Sequence, residues 1–158
     1  MRAYADTSFL VKLLTQEPGT TAAVGLYREA GRPAVFFLPL HALEVANAIR
    51  QRAFHQRHSV ASSARTAIKR ERDSALALLH KYISRRAFIE TSLDLDTAIE
   101  LARSLSAKHT ERLGCRGFDL LHVALALELQ CEAFLTADRI QGDLARAEGL
   151  HVTVSVDR

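Results

Sequence analysis

The first fourteen residues, MRAYADTSFLVKLL (residues 1–14), decide the fold class. The RAYA segment is so short that it forms a strand only when neighbours bury both of its faces, as in a parallel sheet. The Asp-Thr-Ser triplet that follows contains residue types that begin helices, and FLVKLL supplies the apolar side chains of the helix. A strand that passes directly into a helix is the first unit of a parallel β-α arrangement.

The same alternation continues along the chain. Further short apolar runs predict buried strands, and each is separated from the next by one or more segments with helical spacing. This order predicts one α/β domain over residues 1–158, a three-layer α/β/α sandwich with a mainly parallel central sheet and right-handed crossovers. The predicted strands are AVFFL (34–38), FIET (88–91), EAFLT (132–136) and HVTVSV (151–156).

Three of the predicted helices have features that the structure can test. In the helix after Pro39, helical spacing relates five positions: Leu40, Leu43, Asn47, Ile49 or Arg50, and Phe54. A basic amphipathic helix is expected over residues 62–84, with its apolar side formed by residues such as Leu76 and Leu79. A short helix is expected over residues 142–148.

Charge is distributed unevenly along the chain. The net charge is +3, but residues 50–86 contain ten Lys or Arg against two acidic residues, a balance of +8, which leaves 3 − 8 = −5 for the rest. A basic segment of this kind indicates an acidic partner, or else a solvated helix face; the sequence does not separate the two. The candidate contacts to an RNA backbone are Arg50, Arg52, Arg57, Arg65, Lys69, Arg70 and Arg72.

Other features exclude several classes of protein. No run approaches the roughly 20 apolar residues that span a bilayer, and Asp6 and Lys12 interrupt the apolar start, so neither a signal peptide nor a membrane protein is expected. The expected compartment is the cytoplasm. Cys115 and Cys131 have neither C-x-x-C nor zinc-site spacing and are expected to be ordinary buried residues. Glycine-rich nucleotide motifs and the G-x-S-x-G hydrolase motif are missing from the sequence.

Four acidic residues lie in apolar or tightly structured contexts: Asp6, Glu44, Asp119 and Asp138. Each has an ordinary explanation, since Asp6 and Asp119 can be helix caps, Asp138 a turn residue and Glu44 a surface residue. However, Asp6 and Asp138 each follow a predicted strand, so both should lie at one edge of the parallel sheet, where ligands usually bind. Carboxylates gathered there repel one another unless a cation joins them, and oxygen ligands favour Mg²⁺ or Mn²⁺.

These four acids, in their sequence contexts, resemble the PIN domain, and more closely the VapC-type toxin ribonucleases of toxin–antitoxin systems. The matching motifs are D-T-S after the first strand, L-x-x-x-E-V-x-N, D-x-x-H-V-A and T-A-D. The resemblance implies a PIN-like fold and a metal-dependent endoribonuclease, with Asp6, Glu44, Asp119 and Asp138 as catalytic, metal-binding carboxylates for Mg²⁺ or Mn²⁺. It also implies that the hydroxyls of Ser8 and Thr136 orient a water or a phosphate.

The resemblance further implies partners. These are an RNA substrate cut to leave a 5′-phosphate and a 3′-hydroxyl, a second copy of the chain in a homodimer, and a cognate antitoxin that inserts a basic residue among the acids. The chain departs from many relatives in having Ala137 before the fourth acid, and Asp143 is a weak candidate for a further acid. The alternative function is a PIN-like module that binds RNA or protein without nuclease activity.

Two neighbouring polar residues are predicted to support the acids. His122 lies one helical turn after Asp119, and because Mg²⁺ and Mn²⁺ favour oxygen ligands, it is expected to hold a carboxylate or backbone group by a hydrogen bond. Asn47 lies one turn after Glu44 and close to the same face of its helix.

Overall fold

The computed structural model describes residues 2–154, which form five strands and seven α-helices. The strands are β1 (Ala3–Ala5), β2 (Val35–Phe37), β3 (Phe88–Glu90), β4 (Ala133–Thr136) and β5 (His151–Val154). The helices are α1 (Thr7–Leu14), α2 (Thr20–Glu29), α3 (Pro39–Ser59), α4 (Arg65–Ser84), α5 (Leu95–Leu113), α6 (Gly117–Glu128) and α7 (Arg139–Ala147). A single 3₁₀ turn, Ser62–Ala64, joins α3 to α4.

All strand pairs of the sheet are parallel, and their order is β3-β2-β1-β4-β5. The central strand β1 pairs with β2 on one side and with β4 on the other; Ala3 is the partner of both Val35 and Ala133. The α/β fold with a parallel central sheet is therefore confirmed, and the described strands are parallel throughout rather than mainly so.

Alternating side chains of the strands divide the core into two clusters, one on each face of the sheet. Ala3 and Ala5 of β1 face the cluster that includes residues of α1 to α4. Tyr4, which lies between them, faces the cluster that includes residues of α5 to α7. The sheet is thus the middle of three layers, as predicted, and β1 is completely buried.

Helix α3 buries a different face from the one that its aliphatic residues suggested. Its buried residues are His41, Val45 and Ile49, whereas the side chains of Leu43 and Phe54 are 69% and 51% exposed. The sequence did not predict this face because it begins with a histidine, and a histidine ring counts as polar in a hydrophobic pattern. In the fold, the neutral His41 ring packs among the aromatic rings of Tyr4 and Phe37.

Several element boundaries also differ from the prediction; α4, for example, begins at Arg65 rather than at residue 62, because residues 62–64 form the 3₁₀ turn. Helix α7 begins at Arg139 rather than at residue 142, because Asp138 accepts a hydrogen bond from the Gln141 N–H and caps the helix. The last strand is described as far as Val154, and residues 155–156 of its predicted range lie outside the described residues. Within residues 2–154, none of the helices combines the length and the apolar character that crossing a bilayer requires.

Candidate functional site

Asp6 is placed by the junction between β1 and α1. Its backbone N–H donates to the Leu135 carbonyl of β4 at 3.0 Å, which continues the sheet pairing one residue past the strand. Its side chain caps α1 by accepting the Phe9 N–H at 2.9 Å. The ordinary reading as a helix cap is thus true of Asp6, and the same geometry fixes its carboxylate at the carboxyl edge of the sheet.

The Asp6 carboxylate is buried, yet hydroxyl groups surround it. Ser8 Oγ lies 2.9 and 2.7 Å from its two oxygens, and Thr136 Oγ1 donates to Oδ2 at 3.0 Å. Burial raises the pKa of Asp6 because it disfavours the charged form, and these hydrogen bonds only partly oppose the rise. Burial is therefore the largest influence on the pKa of this carboxylate.

Glu44 enters the same site from the second turn of α3. Its Oε2 accepts from Thr7 Oγ1 at 2.8 Å and from His122 Nε2 at 3.1 Å. Burial alone would raise the pKa of Glu44, but its hydrogen bonds and the charge of His122 outweigh burial and leave the pKa below its ordinary value. Glu44 is thus an ionised carboxylate held in place from two sides.

His122 is itself held from below the site. A carboxylate only accepts hydrogen bonds, so the nitrogen that faces Glu44 carries a proton. The other ring nitrogen, Nδ1, lies 2.8 Å from the Tyr4 hydroxyl. When the ring is neutral, Nδ1 accepts a hydrogen bond from this hydroxyl. The prediction that His122 orients a carboxylate agrees with this geometry, which adds Tyr4 as its support.

His41 completes the buried layer beneath the site. Its Nδ1 accepts the Leu38 N–H at 3.0 Å at the start of α3, and its ring stacks 5.6 Å from that of His122. Burial lowers the pKa of His41 to about 3, so the ring is neutral. Its Nε2 atom has no hydrogen-bond partner within 2–154, and the ring functions here as a buried aromatic spacer.

Asp119 lies in the first turn of α6 rather than at its cap. Its Oδ2 accepts the N–H of Arg116, the capping residue, at 2.9 Å. The Arg116 guanidinium also reaches both of its oxygens, with Nε 3.1 Å from Oδ2 and Nη2 3.2 Å from Oδ1. Asp119 is buried, whereas the Arg116 side chain is 75% exposed. Arg116 therefore neutralises the charge of Asp119 from the solvent side.

Asp138 follows β4 and caps α7. Its Oδ2 accepts from Arg116 Nη2 at 3.0 Å, so one guanidinium bridges Asp119 and Asp138. Its backbone N–H donates at 2.9 Å to Thr136 Oγ1, the hydroxyl that in turn donates to Asp6. The buried Gln141 amide lies 3.5 Å from Asp119, at the limit of a hydrogen bond.

The structure therefore brings all four predicted acids into one open cleft of about 540 Å³ at the carboxyl edge of the sheet. Within residues 2–154, however, no three His, Cys, Asp or Glu side chains converge closely enough to hold a metal ion as they stand. Part of the reason is Arg116, whose guanidinium binds both Asp119 and Asp138. The cleft combines acidic oxygens with two cations from its own chain, Arg116 and Lys12.

The predicted supporting residue Asn47 and the weak candidate acid Asp143 lie elsewhere. Asn47 is exposed and lines a groove between α3 and α4 instead of the cleft. Three residues advance a helix by about 300°, so Asn47 is offset from Glu44 by about 60° around α3, on the side of this groove. Asp143 forms ion pairs with Arg146 at 2.9 Å and Arg139 at 4.0 Å on the surface of α7. Neither residue is included in the site that we propose below.

The seven candidate contacts to an RNA backbone do not all lie on the same surface. Arg52 is turned inward, where its guanidinium contacts Glu17 at 3.1 Å, Glu71 at 3.4 Å and the Gln16 carbonyl. Arg70 is exposed but does not line the groove between α3 and α4. The remaining candidates line that groove: Arg50, Arg57, Arg65, Lys69 and Arg72.

Sequence reasoning overlooked Arg116, Tyr4 and Gln141. A signal for Arg116 exists, because a cation three residues before an acid at a helix start is a recurring pair. Gln141 stands three residues after Asp138, at the position where a capped helix places its first inward side chain. Tyr4 gave no signal, because a tyrosine in a buried strand is indistinguishable from core until the partner of its hydroxyl is known.

Comparison with known proteins agrees with the geometry. A family model described as the PIN domain matches residues 3–147, which is nearly the whole chain. A search of curated proteins finds no match. PIN domains are commonly nucleases and generally use divalent metal ions. The matched range contains all four cleft acids. Because the family model matches nearly the whole chain, the chain belongs to the PIN domain family.

Proposed function

We propose that this protein is a metal-dependent endoribonuclease that hydrolyses RNA phosphodiester bonds in the acidic cleft. The observation that supports this most directly is the meeting of Asp6, Glu44, Asp119 and Asp138 in one cleft although they come from four separate elements. In a PIN domain, such a cleft fits nuclease chemistry. The same four residues are the proposed catalytic, metal-binding groups.

The residues of the cleft fit Mg²⁺ or Mn²⁺ in their chemistry. All four candidate ligands are carboxylates, and hard divalent cations prefer oxygen. Burial raises the pKa of Asp6, and a bound cation would favour its charged form. The Arg116 guanidinium contacts both Asp119 and Asp138. It would have to move away from these acids before an ion could bind both of them.

The other residues of the cleft would position these acids. Ser8 and Thr136 hold Asp6, and Thr7 and His122 hold Glu44. A divalent ion, when bound, lowers the pKa of water and so supplies the nucleophile for attack on phosphorus. The chain supplies the orientation of the carboxylates, and the buried histidine and tyrosine beneath them exclude solvent from one side.

The test compares charge removal inside and outside the cleft. Asp6→Asn and Asp119→Asn keep the size of the side chain, and Asp143→Asn is the matched control on the surface of α7. We expect the cleft variants to lose RNA cleavage in Mg²⁺ or Mn²⁺ by at least about 100-fold, and the control to cleave as the wild type does. Sequencing of the product ends from a mixed RNA pool would then show 5′-phosphates. Wild-type rates in either cleft variant would overturn the assignment.

We further propose that the protein is a VapC-type toxin that functions in the cytoplasm with an antitoxin and as a homodimer. The apolar side chains of Leu43 and Phe118 are 69% and 59% exposed, and each immediately precedes a cleft acid. A second copy that covers them would bury apolar surface beside the cleft. Leu43→Glu should then lower the dimer fraction in size-exclusion chromatography, and a small antitoxin gene is expected beside the gene of this chain.

A second candidate function has one observation in its favour. The guanidinium of Arg116 already neutralises two of the four acids, as it would in a PIN-like module that binds RNA or protein without cutting it. Calorimetry of both forms separates the two: a nuclease should bind Mn²⁺ with Arg116 in place and more tightly in Arg116→Gln, whereas a module in which Arg116 takes the place of the metal should bind Mn²⁺ only in Arg116→Gln.

A further inference from the structure

Helices α3 and α4 enclose a second groove, of about 780 Å³, that the acidic cleft does not include. Its cations are Arg50, Arg57, Arg65, Lys69 and Arg72, and none of the carboxylates among residues 2–154 lines it. Within the described part of the chain, only Arg72 of these five forms an ion pair, with its neighbour Asp73 at 2.7 Å. The groove therefore retains a strong positive potential and selects an anionic partner.

An aromatic ring stands among these cations. Phe54 lines the groove with 51% of its surface exposed. The guanidinium carbon of Arg57 lies 6.0 Å from the centre of its ring, and the His58 ring lies 4.2 Å away. An exposed ring among cations fits a nucleic acid base, because single-stranded nucleic acids bind by stacking bases on aromatic side chains and by pairing phosphates with cations.

The groove also continues from the acidic cleft along α3. Glu44 and Ala48 line the cleft, while Asn47 and Gln51, one and two turns after Glu44, line the groove. Ten residues of helix separate Glu44 from Phe54, which at 1.5 Å per residue is roughly 15 Å. A strand whose stacked bases rise by 3.4 Å covers this distance in about four nucleotides, and an extended strand in fewer.

We propose that the groove between α3 and α4 binds single-stranded RNA, with one base stacked on Phe54 and flanking phosphates at Arg57 and Lys69. The stacked nucleotide lies about two to four nucleotides from the phosphate in the acidic cleft. The position of the cut rests on the proposed nuclease function, whereas the binding does not. A duplex would meet only the cations, because its bases already stack on one another.

The first experiment tests the stacking contact. Binding of a short fluorescent single-stranded RNA is measured by anisotropy in EDTA, so that no cleavage occurs. We expect Phe54→Ala to weaken binding by about 5- to 150-fold, the range measured for loss of one stacked base. Leu95→Ala, at an apolar side chain that is 49% exposed on α5, should bind as the wild type does. Binding of the same sequence as a duplex should not change in Phe54→Ala.

The second experiment tests the cations with a matched change in net charge. Arg57→Gln with Lys69→Gln should reduce the slope of log affinity against log salt by about 1.4, or about 0.7 for each lost phosphate contact. Arg28→Gln with Arg85→Gln removes the same charge from a different groove and should leave the slope nearly unchanged. Equal losses in both double variants would mean that RNA follows net charge, and the proposed groove would be wrong.

The results also separate this inference from the nuclease proposal. RNA that binds in the groove but is never cut in Mg²⁺ or Mn²⁺ would overturn only the nuclease. RNA that is cut equally well by wild type and Phe54→Ala, with equal affinity, would overturn only the groove. If Phe54→Ala keeps its RNA affinity while oligoglutamate binding requires Arg57 and Lys69, the groove docks an acidic protein segment and our inference fails.

Discussion

The hydroxyl of Thr136 offers a direct test of how the site is held together. The residue is buried, its Oγ1 donates to the Asp6 carboxylate at 3.0 Å, and the same atom accepts the Asp138 N–H at 2.9 Å. Thr136→Val replaces the hydroxyl by a methyl group of similar size. Both hydrogen bonds disappear, together with the 3.2 Å contact between Oγ1 and Gln141 Oε1, and little else in the packing changes.

The loss of folding stability expected for Thr136→Val follows from these two hydrogen bonds. A hydrogen bond to a charged group contributes about 1.5–3 kcal/mol, and a neutral one about 0.5–1.5 kcal/mol. We therefore expect Thr136→Val to lower the free energy of unfolding by about 2–4 kcal/mol. For a chain of this size, that corresponds to a fall of about 5–15 °C in the melting temperature measured by circular dichroism.

Thr15→Val is the matched control. Thr15 is equally buried, but its hydroxyl donates to the Val11 carbonyl, a neutral acceptor, at 2.9 Å. Its loss should therefore cost only about 1 kcal/mol. Similar losses of stability in the two variants would refute our view that the hydroxyl of Thr136 compensates a buried charge.

The pH dependence gives a second criterion. The pKa of Asp6 is raised by burial in the folded protein, and removal of a donor to its carboxylate should raise this pKa further. The penalty of Thr136→Val should be complete at pH values above the raised pKa, where Asp6 is ionised, and should shrink as the pH falls through this pKa and Asp6 gains its proton. A penalty that stays constant across the pH range of this titration would contradict this reasoning.

Three further substitutions, at two glycines and one tyrosine, test the packing and the proposed site. Gly142→Ala should destabilise the protein by about 1–3 kcal/mol, because a Cβ there would lie 2.7 Å from Cγ2 of Val154. Gly25→Ala on α2 meets nothing within 4 Å and should stabilise it by about 0.4–1 kcal/mol; thermal unfolding measures both changes. Tyr4→Phe removes the hydroxyl that lies 2.8 Å from His122 and should reduce the proposed single-turnover cleavage about 10-fold, with RNA affinity in EDTA unchanged. Loss of affinity together with rate would show that the tyrosine supports the fold more than the orientation of the site.

Local sequence determined much of the framework. The strand of Ala3 to Ala5 needed burial on both faces, which only a parallel sheet offers, and Asp6 had to cap the helix that follows it. Because parallel strands end at one edge, the acids after β1 and β4 were bound to lie near one another. These features depend on short-range chemistry, namely caps, apolar runs and their order along the chain.

The buried face of α3 did not follow from the sequence. Helical periodicity identifies faces but not which one packs against the sheet, and here the buried face contains His41 while Leu43 and Phe54 remain exposed. His41 fits the core because burial lowers its pKa and keeps the ring neutral. That outcome depends on rings contributed by other elements.

The sequence by itself determined the α/β order, the helix caps and the four acids as candidates. Only the tertiary structure decided that Glu44 is held by His122 and that Arg116 bridges two of the acids. Only the tertiary structure also placed Asn47 in the basic groove, beyond the site of Glu44. The physical reason is that hydrogen bonds and ion pairs between elements depend on distances of a few ångströms, and the fold sets these distances between residues that lie far apart in the chain.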